Sequence, residues 1–182
     1  MAIDAINGLI PTLIASHSHL LYQSTLTSLL PTYLPHLAPL GLEKVRSTAV
    51  AILPSLFDKL SDGKDRVSKP AEEALVRFAQ TCLADTPLSS SATLTSSGRG
   101  KEKESPAQIY ERLLTDVLAG KNPRGKVGVM RVLVGVRAQS RTIGLKALLP
   151  SLVAALEDGD GSVREEAKSV SRPLSSPVMI FS

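Results

Sequence analysis

A chain of 182 residues, 43% hydrophobic and 21% charged, is sized for one globular domain with an ordinary apolar core. Its single cysteine, Cys82, excludes an internal disulfide, and no apolar run reaches the roughly 18 residues that a membrane span needs. A net charge of +4 points mildly to an acidic partner, while 3% aromatics and no Trp leave little to stack nucleic-acid bases on or to fill a β-sandwich.

Met1-Ala2-Ile3-Asp4 has no basic region before its apolar residues and does not read as a signal peptide. Ile3, Ile6, Leu9, Ile10, Leu13 and Ile14 follow at helical spacing, with an interruption at Pro11. Leu20 to Leu37 is a second apolar segment, punctuated by Pro31 and Pro35 and ending near Ala38-Pro39-Leu40-Gly41. Glu43 to Leu53 starts again, with Val45, Ala49, Ile52 and Leu53 along one stripe.

At Leu53 the chain begins a phrase that it writes twice. Leu53-Pro54-Ser55-Leu56 leads to Leu60, Asp62-Gly63, Val67 and Ala71; Leu149-Pro150-Ser151-Leu152 leads to Leu156, Asp158-Gly159, Val163 and Ala167, 96 positions later without a gap. Pro54 suits the first turn of a helix, where its missing N–H costs nothing. Ser61 to Lys64 has turn chemistry, and Asp65 opens a helix to about Cys82, with a kink or late start expected at Pro70. Asp85 to Ser105 is small, polar and low in complexity, which predicts a disordered loop. Pro106 to Ala119 is an amphipathic helix, Gly120 to Gly125 a loop, and Lys126 to Ala138 a buried helix despite its many Val residues. Ile143 to Leu156 and Ser162 to Ser171 flank a turn at Glu157 to Gly161. An offset of 96 is about two helical repeats of roughly 40–47 residues, so Pro106 to Ala138 is a third copy between the other two. The prediction is an all-α solenoid of HEAT-like helical repeats over residues 1–170, about four repeats in all, with a non-repeat tail at 171–182.

The turns Asp62-Gly63-Lys64-Asp65-Arg66-Val67 and Glu157-Asp158-Gly159-Asp160-Gly161-Ser162-Val163-Arg164 look like those of HEAT repeats. Lys121-Asn122-Pro123-Arg124-Gly125-Lys126, an apolar helix, Arg141-Thr142 and then Leu149-Pro150-Ser151-Leu152 occur in that order. Together these resemble the N-terminal TOG domain of the CLASP family in its fungal form, over roughly Leu53 to Val170. The resemblance implies a microtubule-associated protein: a paddle of HEAT repeats whose narrow edge of intra-repeat turns binds αβ-tubulin, acting on microtubule dynamics and stability at plus ends and the mitotic spindle, in the cytoplasm, cytoskeleton and spindle. The chain departs from the family pattern in having about four repeats where six are usual, no Trp for the first turn, Ser68 where Arg164 stands in the later copy, and Pro70 in an edge helix. Its tail reads as that of a truncated or alternatively spliced product.

In a helix-turn-helix stack the turns within repeats collect on one edge. The candidate tubulin-binding residues are therefore Lys64, Arg66, Lys121, Asn122, Arg124, Lys126 and Arg164, with Asn122 able either to cap its helix or to face the partner. Other signals point away from catalysis. Gly120 to Lys126 has the phosphate-loop spacing but Val127 replaces the Ser or Thr that holds Mg²⁺, and a helix precedes it. Asp158 to Ser162 lacks the Gly and Glu of a calcium loop. His17 and His19 point apart on a helix, and Cys82 is read as core. No cofactor, metal or active site is predicted. A generic HEAT scaffold that binds a phosphatase or transport adaptor through its concave face is the alternative. Ser105-Pro106, Thr86-Pro87 and Ser176-Pro177 are candidate phosphorylation dipeptides.

Overall fold

The computed structural model describes residues 2–83, 103–139 and 148–171. The helices are α1 (Ala2–Ala15), α2 (His19–Ser24), a π-helical turn (Thr25–Leu29), α3 (Leu30–Leu37), a 3₁₀ turn (Ala38–Leu40), α4 (Leu42–Leu60), α5 (Asp65–Cys82), α6 (Pro106–Ala119), α7 (Pro123–Gln139), α8 (Leu149–Leu156) and α9 (Gly161–Ser171). Successive contacts run α1, α4, α6, α8 in one layer and α3, α5, α7, α9 in the other. The described residues thus form four antiparallel pairs stacked into an all-α solenoid, and α6/α7 is the diverged copy between the two that share a phrase.

Prolines are handled differently from the reading of the sequence. The break at Pro11 and the helix start at Pro54 do not occur: α1 and α4 run through them. A proline inside a helix orphans the carbonyl four residues back. For Pro54 that carbonyl belongs to Val50, which is exposed, so solvent can take it. Pro70 likewise neither delays nor ends α5, and its orphaned carbonyl belongs to exposed Arg66. Pro150, in contrast, does occupy the first turn of α8. The α2–α3 segment is continuous through a π turn, in which Leu30 N–H donates to Thr25 O. This widened turn directly precedes Pro31, where an α-helical ring–carbonyl clash is otherwise expected. Gly41, at φ 95°, then turns the chain into α4.

The core is aliphatic. Ile52, Leu53, Leu56 and Leu60 of α4 meet Leu75 of α5, Leu114 of α6 and Val129, Met130 and Leu133 of α7. Its few rings are concentrated: Tyr110 stands edge-on to Phe57 at 5.7 Å and stacks on Phe78 at 6.2 Å. In the first two pairs a buried polar knot holds the layers, with Tyr33 Oη and Thr48 Oγ1 both donating to Asn7 Oδ1 at 3.1 and 3.0 Å. Cys82 is buried, and burial pushes its thiol pKa up to about 12. Alkylation at neutral pH is therefore expected to be slow in the native protein and to accelerate only on unfolding, as timed mass spectrometry would show.

Most of the predicted loop 85–105, residues 143–147 and the tail beyond Ser171 lie outside the described residues. The last three loop residues are described and are pinned. Glu104 O accepts from Arg46 Nε at 2.8 Å, and the Glu104 carboxylate pairs with Arg112 at 2.9 Å. Ser105 forms a capping box with Gln108, which starts α6 at Pro106 as the sequence pattern predicts. Ser105 is thus engaged as a helix cap beside a buried Pro106; Thr86-Pro87 and Ser176-Pro177 lie outside the described residues.

Candidate functional site

The turns within the four pairs share one local device. Asp62 Oδ1 accepts from Lys64 N at 2.9 Å, Asn122 Oδ1 from Arg124 N at 3.0 Å and Asp158 Oδ1 from Asp160 N at 2.9 Å. In the first pair Ser16 Oγ accepts from Ser18 N at 3.1 Å. A short polar side chain bonding the N–H two residues on substitutes for a backbone turn. This alignment makes Asn122 the counterpart of Asp62 and Asp158, and fixes the first pair's turn at Ser16–Ser18. Exposed His17 lies in that turn, while His19 already belongs to α2.

The four turns lie side by side. Tyr22, near the start of α2, donates from its hydroxyl to Val67 O at the start of α5, and Lys59 Nζ stands 5.9 Å over its ring. At Gly63 an added Cβ would overlap the Arg124 guanidinium, which lies across the first-copy turn from α7. A Cβ on Gly125 would come within 2.7 Å of Ser61 Oγ, so α7 also approaches that turn closely. Lys126 Nζ and Asp158 Oδ2 are 2.6 Å apart, linking α7 to the last turn. A cleft of about 410 Å³ opens along this edge, lined among others by Asp62, Asp65, Arg124, Arg131 and Asp160.

The seven predicted residues fall into two groups. Lys64, Arg66 and Lys121 are exposed and have no side-chain partner among the described residues. Arg124 is exposed beside Gly63. Asn122 Oδ1 makes the turn-forming bond while its side chain stays exposed, and α7 begins at Pro123, so the predicted loop ends at Asn122. Lys126 is held by Asp158, and Arg164 folds back on its own turn, donating to Asp158 O at 2.7 Å and Gly159 O at 3.1 Å. Asp160 caps α9, accepting from Ser162 N at 2.8 Å. The hydrogen bond from Lys126, then that from the Asp160 amide, holds the Asp158 carboxyl below the usual carboxylate range.

The sequence reading missed Arg131. Its guanidinium joins three consecutive helices of one layer, with Glu166 of α9 at 2.9 Å and Glu72 of α5 at 3.9 Å. Burial raises the Glu72 pKa, and Arg131 only partly offsets it. No spacing rule marks this trio, because its members lie in three different repeats.

No family model matches the chain. It is 36% identical over 189 residues to Protein STU1 of Cryptococcus neoformans, an alignment that covers 96% of this chain and 15% of that protein. Protein STU1 of Mycosarcoma maydis is 36% identical over 115 residues, and Protein stu-1 of Neurospora crassa 30% over 117, covering 63% and 64% of this chain. The chain belongs to the fungal STU1 proteins of the CLASP family. It spans about 15% of the length of the C. neoformans STU1. Lys64, Arg66, Lys121 and Arg124 of this CLASP-family chain stand exposed along the edge of turns.

Proposed function

We propose that this chain is a tubulin-binding module of a microtubule-associated protein, and that αβ-tubulin docks on the turn edge. The single observation that carries the reading is the charge of the α6–α7 turn. Gly120 to Arg124 holds two exposed cations, Lys121 and Arg124, and no carboxylate, because Asn122 takes the turn-forming role that Asp62 and Asp158 play elsewhere. The α4–α5 turn adds Lys64 and Arg66 beside it. An acidic partner gains encounter rate and register from such a row, each exposed contact contributing ~1 kcal/mol or less. Kinship with STU1 supports microtubules as the destination, with action on microtubule stability at plus ends and the spindle. The chain should bind soluble αβ-tubulin in a sedimentation or interferometry assay, with affinity falling steeply as salt rises. Binding that is absent at low salt would overturn the reading.

Gly63 offers a quieter test. Its backbone is not left-handed, so Ala is tolerated there and narrows the unfolded ensemble. The added methyl must displace Arg124. Gly63→Ala is expected to leave the melting temperature unchanged or slightly raised, yet weaken tubulin binding by a few-fold, in line with a contact of up to ~1 kcal/mol.

The concave-face scaffold reading rests on a cleft of about 600 Å³ between α5 and α7. Its lining includes Glu72, Glu73, Arg77, Gln80 and Arg131. That lining is charged rather than apolar, with Glu72 3.9 Å from Arg131, which favours the edge.

A further inference from the structure

We infer that Lys126 is a positioning residue that fixes the spacing of the α6–α7 and α8–α9 turns, and is not itself a partner contact. This rests on the tubulin reading of the edge. Lys126 and Asp158 are 17% and 18% exposed, and theirs is the one ion pair among those described in which both partners are so shielded. Leu118, Pro150 and Ala154 line the space around the pair. Such apolar walls weaken solvent screening and strengthen the attraction.

The geometry makes a direct contact unfavourable. For its ammonium to reach an acidic partner, Lys126 must leave Asp158. The uncovered carboxylate would then face that same partner, so the new attraction is offset by a new repulsion. Asp158 is also the organiser of its turn: Oδ1 accepts from Asp160 N, and its carbonyl accepts from Arg164. By holding Oδ2, Lys126 holds the whole turn, Arg164 included, at a set distance from Lys121 and Arg124. Lys121, exposed and without a side-chain partner among the described residues, has no such function.

Asp158→Asn separates the two roles by sign. Asn keeps the turn-forming bond, as Asn122 does in the neighbouring turn. It frees Lys126 and adds positive charge to the edge. If Lys126 were a contact, affinity for acidic αβ-tubulin would rise. As a positioning pair, its loss should lower affinity on the order of fivefold, whereas Lys126→Arg, which keeps a cation on Asp158 Oδ2 and leaves the Asp160 N–H bond in place, should bind close to the wild type. Hydrogen exchange at the amides of Asp160 to Val163 should accelerate in Asp158→Asn and stay near the wild-type rate in Lys126→Arg. Equal or tighter tubulin binding by Asp158→Asn overturns the inference, and so does unchanged exchange. If the wild-type chain binds no tubulin, the functional reading fails by itself, and the exchange measurement still decides the role of the pair.

Discussion

Tyr110→Ala is expected to cost about 3–5 kcal/mol of stability, the range for deleting a fully buried aromatic ring. The ring is 0% exposed and joins three helices, edge-on to Phe57 of α4 and stacked on Phe78 of α5. Its hydroxyl donates to Leu75 O at 3.1 Å, the one polar bond of this aromatic centre. The hydroxyl matters less than the ring. Tyr110→Phe keeps the packing, and because Leu75 O lies within a helix ladder it should cost only about 1 kcal/mol. Thermal melts separate the two: a fall on the order of 10 °C for Ala and a few degrees for Phe. An Ala variant that melts with the wild type would mean that the α4–α5–α6 junction is not where the solenoid is held.

The largest effect on binding is expected from reversing Lys64, Lys121 and Arg124 together to Glu. Removing one exposed cation loses ~1 kcal/mol or less, but reversal replaces attraction with repulsion at each position. Three such changes on one edge should weaken tubulin binding by a hundredfold or more, about 3 kcal/mol. All three side chains are exposed, and none makes an ion pair among the described residues, so the melting curve should hardly move. Retained tubulin binding by the reversed protein would show that the edge is not the docking surface.

The stack was legible in the sequence because its signals are local. The stripe of Ile109, Leu114 and Leu118, bounded by Ser105 and Gly120, gives α6 to the residue. The repeated Asp-Gly turns place α5 and α9 in equivalent positions. Proline was where local rules failed. Pro54 and Pro150 occupy matching places in the repeated phrase, yet one lies deep in a helix and the other at a helix start. The difference lies upstream: Leu42 to Leu53 packs Val45, Ala49 and Ile52 into the core, and that burial outweighs one lost hydrogen bond. At the edge, Lys64 and Lys121 lie in the turns as the sequence suggests, while Arg66, Arg124, Lys126 and Arg164 fall in the opening turns of the helices that follow. Composition could not separate exposed Lys121 from Lys126 five residues later, because the partner of Lys126 lies 32 residues away in another repeat. The recurring i to i+2 bond of Ser16, Asp62, Asn122 and Asp158 was available as a signal, and aligning on it would have fixed the first repeat as well.

A photo-reactive amino acid placed at position 121 and, separately, at position 77 tests the docking edge most directly. Lys121 sits in the α6–α7 turn, while Arg77 lines the cleft between α5 and α7. Irradiation with soluble αβ-tubulin at low salt should give a tubulin adduct from position 121 and none from position 77. An adduct from position 77 alone, with binding intact, would contradict the edge and move the interface to the concave face.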